Sequence, residues 1–131
     1  MEQTAKSKLG QIGEELTCRH LVKSGYEVIM RNYFSRFGEI DIIAQKQDLI
    51  IFVEVKARQS NAMVKPIEAV TKKKQRKLIK TAVDYLIKHK TDKQPRFDIV
   101  SITISHCNGR NLYSAEHLEN AFDTTGIYTP F

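Results

Sequence analysis

The chain has 131 residues, 41% of them apolar, enough to close one core of ordinary domain size without disulfides or a structural metal. No apolar run approaches the ~20 residues of a membrane span, and Met1 to Lys6 carry no apolar signal stretch, so a single cytoplasmic domain over residues 1–131 is expected rather than a membrane or secreted protein. The net charge of +6 is uneven: from Lys56 to Lys80 nine basic residues meet one acid, Glu68, which leaves the remainder of the chain net negative and makes that segment a candidate polyanion-binding surface or a solvated lysine-rich face. Cys18 and Cys107 lie far apart with no Cys-x-x-Cys spacing, which argues for two reduced, semi-buried thiols and against a zinc knuckle.

In chain order, Ser7 to Ser24 reads as a helix. Ser7 is the N-cap, Leu9, Ile12 and Leu16 form one stripe, Cys18, Leu21 and Val22 form a second patch, and Gly25 is the stop. Apolar residues on two sides predict a broadly covered helix. Tyr26 to about Tyr33 reads as a strand, closed by a turn at Ser35-Arg36-Phe37-Gly38. Glu39 to Ala44 alternates, with Ile40, Ile42 and Ala44 on one face and Glu39, Asp41 and Ile43 on the other. Leu49 to Ala57 alternates as well. There Leu49, Ile51, Val53 and Val55 share one face, and Ile50, Phe52, Glu54 and Lys56 share the other.

A two-residue turn at Gln47-Asp48 pairs Lys46 with Leu49 and brings Asp41 opposite Glu54, whereas a three-residue turn shifts the register by one. Opposed residues have Cβ atoms ~5 Å apart, so two carboxylates and the Lys56 ammonium would converge on one face. Residues after Ala57 as far as Lys65 read as a mobile polar loop, and Pro66 starts a helix running from Ile67 to about Lys90. Val70, Leu78, Ala82 and Leu86 form its apolar stripe, while Lys72, Lys73, Arg76, Lys77 and Lys80 fill much of the rest. Phe97 to Ser105 is a fourth strand, Asn108-Gly109 a hairpin turn, and Asn111 to about His117 a fifth strand. Strand, helix and returning strand make a βαβ unit, so strands three and four should be parallel.

Two ionised carboxylates facing each other on a largely apolar sheet repel, and either a shared proton or a divalent cation relieves them. A small set of hard oxygen ligands with open positions suits Mg²⁺ or Mn²⁺. Lys56, two residues beyond Glu54 on the same face, could hold an attacking water or counter charge on a phosphate. The plainer alternative is a solvated face with one cross-strand ion pair, but Ile50 and Phe52 share that face, so it cannot be wholly solvated. His20, His89, His106 and His117 show no metal-ligand spacing, and no phosphate-cradling glycine loop or Ser-His-Asp signature is present.

The sequence resembles the bacterial YraN-like proteins, within the PD-(D/E)xK superfamily of restriction enzymes and archaeal Holliday-junction resolvases. The resemblance runs through Gly10-Gln11-Ile12-Gly13-Glu14, Gly25-Tyr26, Arg31-Asn32, Gly38-Glu39-Ile40-Asp41-Ile42-Ile43-Ala44, Phe52-Val53-Glu54-Val55-Lys56-Ala57-Arg58, Glu68-Ala69-Val70, Lys74, Arg96-Phe97-Asp98 and Ala121-Phe122. It implies an α/β, restriction-endonuclease-like αβββαβ core, with a mixed sheet of about five strands flanked by helices. It also implies a Mg²⁺- or Mn²⁺-dependent phosphodiesterase site of Asp41, Glu54 and Lys56, the first two as metal ligands. Where that superfamily has Pro-Asp, this chain has Ile40-Asp41. Similar resolvases use a glutamate on the first helix, which by position is Glu14; a helix-dipole role for Glu14 is the alternative. Glu15, four residues before Arg19, reads as one half of a surface ion pair. The leading expectation is a DNA endonuclease, either structure-selective and resolvase-like or weakly specific, whose Arg58, Lys72, Lys73, Lys74, Arg76 and Lys77 hold the DNA backbone. Cutting four-way junctions would require a homodimer with two sites. The alternatives are a non-catalytic nucleic-acid-binding protein and an interaction module in a larger complex.

Overall fold

The computed structural model describes residues 6–60 and 69–123. Helix α1 (Lys8–Lys23) is capped by Ser7, whose hydroxyl accepts the Gly10 amide, and ends at Ser24, after which Gly25 turns the chain with φ of +92°. Strands β1 (Glu27–Ser35), β2 (Gly38–Lys46) and β3 (Leu49–Gln59) follow as an antiparallel meander. Helix α2 (Lys72–Lys88) then crosses to β4 (Gln94–Cys107), which lies parallel to β3 and turns back into β5 (Arg110–Phe122). The five strands lie in the order β1-β2-β3-β4-β5. This is the expected mixed-sheet α/β architecture, consistent with a restriction-endonuclease-like core and extended by β5. Among the described residues no helix is long and apolar enough to cross a membrane.

The helices cover opposite faces of the sheet. On the α1 face Leu21 packs with Ile42, Ala44, Ile51, Val53, Val100 and Ile102. On the α2 face Leu78, Ile79, Ala82 and Tyr85 pack with Ile43, Ile50, Phe52 and Phe97. Gly13 permits the close approach of α1: a Cβ there would lie 2.7 Å from the Ala57 Cβ. Burial of this many aliphatic side chains, at about 25 cal/mol per Å² of apolar area, anchors both helices and so positions their polar residues over the sheet.

Several expected boundaries shift. α2 starts at Lys72, because Thr71 is extended and its hydroxyl caps the Lys74 amide. Val70 is buried on the same side but precedes the helix. Pro66, Ile67 and most of the expected loop lie outside the described residues. β3 runs two residues beyond Ala57, since Ala57 to Gln59 pair with Ile102 to Ile104. β1 begins after Tyr26 and extends to Ser35, while β4 and β5 are longer than their apolar cores because each supplies the other's backbone partners. Ile12 of the first stripe and Val22 of the second patch are exposed, so each apolar side of α1 is only partly covered. Cys18 is half-buried but Cys107 is exposed beside the β4–β5 turn, and both are free thiols.

Candidate metal and catalytic site

The β2–β3 hairpin has the two-residue turn, with Lys46 paired to Leu49 and Gln47 at φ +53°. The ladder runs regularly to Ile42–Val53 and ends there. One step further the alternation of β2 breaks. Ile40 joins Ile43 in the α2-side core, whereas Ile42 joins the α1-side core, so Ile40 does not share a face with Ile42 and Ala44 as the period of two predicts. The cause lies on the neighbouring strand. Asn32, at φ +55°, stands between the pairs Arg31–Ile42 and Tyr33–Ile40, and the left-handed residue turns the strand over at that point. Asp41 sits at the break, where its carboxylate turns into the seam between β2 and β3 and its Oδ2 accepts the Val55 amide at 2.8 Å.

Asp41 and Glu54 are hydrogen-bonding neighbours, 6% and 7% exposed. Both cations and further carboxylates surround them. Lys56 Nζ is 3.9 Å and Lys74 Nζ 3.6 Å from Glu54 Oε2. Glu14 is buried on α1 next to Gly13, with Arg31 3.8 Å away. Lys6, the residue before the cap of α1, reaches into the centre. Its ammonium is 2.8 Å from Glu14, 2.7 Å from Glu39 and 2.8 Å from Asp41 Oδ1.

Burial pushes the Glu54 carboxyl up, and the hydrogen bond and negative charge of Asp41 carry it to about 8. Burial also opposes ionisation of Asp41, but its bonds to Glu54, Lys6 and the Val55 amide outweigh that and hold it below the usual carboxylate range. At neutral pH the pair therefore shares a proton on Glu54. Burial lowers Lys56, and the adjacent Lys74 lowers it further, while Glu54 and Asp41 pull the other way. Lys6 is raised, since its three carboxylate partners outweigh its partial burial.

The donor set suits a hard cation. Asp41 and Glu54 offer two carboxylates, with Glu14 and Glu39 converging on the same stand-in ammonium. Among the described residues no three Asp, Glu, His or Cys side chains close into a metal cage. Two protein carboxylates with the remaining positions left to water and phosphate is the usual way Mg²⁺ is held.

Of the residues singled out from sequence, Glu14, Asp41, Glu54 and Lys56 come together here, and Lys74 joins them. Lys72, Lys73, Arg76 and Lys77 are exposed on α2, which brings its first turn to the site through Lys74. Arg58 is half-buried on β3, with its Nε 3.5 Å from the Thr103 hydroxyl. Glu15 pairs with Arg19 as expected, and also with Arg31. Sequence reasoning missed Lys6 and Glu39. Glu39 was within reach, as it falls on the Asp41 face of the alternation; Lys6 carries no local signal. Also missed was a second buried cluster, in which Asp98 binds Arg96 and His117.

Residues 13–102 match the model of a family described as an uncharacterised protein family, UPF0102. A UPF0102 protein of Persephonella marina is 44% identical, covering 87% of this chain and 92% of its own. One from Alkaliphilus oremlandii is 41% identical over 88% and 97% of the two chains, and one from Caldanaerobacter subterraneus 37% identical over 93% and 100%.

Proposed function

This chain belongs to the UPF0102 family, and from its site we propose that it is a Mg²⁺- or Mn²⁺-dependent DNA endonuclease that hydrolyses phosphodiester bonds at Asp41, Glu54 and Lys56. The observation that carries this reading is the break in β2, which turns Asp41 toward Glu54 at the end of the β2–β3 ladder with Lys56 beside them. A carboxylate pair inside an apolar sheet costs stability, and a fold that needed only architecture would be served by apolar residues there. Asp41 and Glu54 would hold the cation, which when bound supplies Lewis acidity to a phosphate oxygen and its water.

The chain's own groups do the rest. Lys56, on the same face as Glu54, orients the attacking water or counters the charge that grows on the phosphate. Lys74 is placed to bring a phosphate towards Glu54. The exposed Lys72, Lys73, Arg76 and Lys77 continue that charge along α2 and, with Arg58, hold the backbone without reading bases. Glu14 lines the same nest from α1, 2.8 Å from the ammonium that also meets Asp41. The substrate is DNA, branched forms included, and a homodimer would present two such sites to a junction.

A non-catalytic nucleic-acid-binding module is the second reading, favoured by the ammonium that already satisfies Asp41. Cleavage of linear, single-stranded, flapped and four-way-junction DNA in Mg²⁺, Mn²⁺ and chelator separates the two. Metal-dependent cleavage by the wild type that Asp41→Asn abolishes is the expected result. Binding of the same DNAs with no cleavage in either metal would leave the binding module as the reading.

A further inference from the structure

Lys6 is tied to the carboxylate nest more completely than its place before α1 requires. An ammonium has three donors, and Glu14, Glu39 and Asp41 each take one at 2.7–2.8 Å. The residue is outside the helix: Ser7 is the cap, in extended conformation, and α1 begins at Lys8. Lys6 can therefore move without unwinding a turn. Its side chain is 25% exposed against 4% for Glu14, so it closes the nest from the solvent side.

The decisive atom is Asp41 Oδ1. Oδ2 is committed to the Val55 amide, so Oδ1 is the oxygen a metal would take, and Lys6 is on it. An ammonium and a divalent cation cannot share one carboxylate oxygen within ~3 Å of each other without strong repulsion, which is greatest where burial keeps water out.

We propose that Lys6 is an intramolecular competitor for the metal position, an autoinhibitory plug that holds the nest when no divalent cation is bound and must leave before one enters. This rests on the metal-site reading above. The wild type then loads metal only against the free energy of the Lys6 contacts, and its apparent affinity is lowered by the fraction of molecules in which Lys6 is out. Once displaced, the ammonium stands at the edge of the site, free to meet a phosphate.

Two measurements test this. In a Mg²⁺ titration of the wild type followed by NMR of the lysine ammonium groups, a protected Lys6 signal is expected in the metal-free protein and should vanish in step with metal binding. In calorimetry with Mn²⁺, Lys6→Met should bind roughly tenfold tighter or more than wild type, the gain expected if the open state is populated a tenth of the time or less, whereas Asp41→Asn should not bind. A Lys6 ammonium signal that survives at saturating Mg²⁺ overturns the plug while leaving the metal site standing. If neither wild type nor Lys6→Met binds Mn²⁺, the metal reading and the plug fall together.

Discussion

Two clusters of buried carboxylates sit in this sheet, and they are built differently. Asp98, 0% exposed, is fully matched. Arg96, two residues earlier on the same strand, grips it with Nε at 2.9 Å and Nη2 at 2.8 Å, His117 Nε2 lies 2.7 Å away, and the Asn120 amide donates at 3.0 Å. Although burial opposes its ionisation, the bonds from His117, Arg96 and the amide hold it below the ordinary carboxylate range. The register shift beside it and Asn120 at φ +51° turn that amide inward, so the strand is bent in favour of the charge. Beyond it, His117 meets His20, with ring nitrogens 3.1 Å apart. At Asp41 and Glu54 the strand is bent as well, but two acids are brought together, and beside the Val55 amide and the more distant Lys56 and Lys74 their compensation rests on a proton and the side chain of a residue outside every helix and strand. A buried charge whose partners all come from the sheet is architecture. Buried acids compensated by groups that can leave form a site.

The sharpest way to break this contrast is Asp98→Ala. It strands Arg96 and His117 in the β4–β5 layer and should cost about 3–5 kcal/mol, the range for removing one partner of a buried pair. Urea unfolding measures it; a loss under ~1 kcal/mol would mean the matched cluster does not anchor the fold. The contrasting replacement, Lys56→Ala, should change stability by less than ~1 kcal/mol, as its nearest carboxylate is 3.9 Å away, yet lower cleavage of the preferred DNA by ~10² or more. Full activity in that variant, from a preparation free of contaminating nucleases, would remove Lys56 from the chemistry.

Glu54 gives a pH test. It binds its proton more tightly folded than unfolded, so between the ordinary glutamate range and about 8 the folded protein holds the extra proton. Its stabilising contribution is complete at low pH and is lost as pH rises through that window. Glu54→Gln mimics the protonated acid at every pH and should therefore gain on wild type as pH rises from ~5 to ~8, by up to ~4 kcal/mol, given 1.36 kcal/mol per pKa unit. Parallel stability curves would mean Glu54 is ionised throughout. Because loading metal must expel that proton, Mn²⁺ affinity of the wild type should rise with pH over the same range. The smallest effect is expected on α2. Lys72, Lys73 and Lys77 changed together to Ala should weaken DNA binding and flatten its salt slope by up to ~2.7, about 0.9 for each phosphate no longer neutralised. Lys74 is left out of that set because it stands on Glu54. An unchanged slope would make the exposed lysines solvated surface.

Much of this was legible beforehand because it follows local rules. Alternation in Leu49 to Ala57 places Glu54 and Lys56 together whatever surrounds them, and the two-residue turn at Gln47-Asp48 sets the register by counting. The cap at Ser7, the stop at Gly25 and the parallel return of β4 obey the same kind of short-range rule. The alternation reading failed at Ile40, since the residue that breaks β2 is Asn32 on the strand beside it, and a periodicity within one segment does not register its neighbour's left-handed turn.

The amino-acid sequence by itself determined the register of the β2–β3 hairpin and put Glu54 and Lys56 on one face, since strand period and turn length act over a few residues, whereas the turn of Asp41 toward them came with the break in β2. Only the tertiary structure decided who else enters. Glu14 arrives because Gly13 lets α1 settle on Ala57, Lys74 because the apolar stripe of α2 sets that helix's rotation over Phe52, and Lys6 because the α1 cap leaves it pointing at Asp41, 35 residues away. Such contacts depend on how two helices pack against opposite faces of one sheet, and no pattern local to Lys6 encodes that.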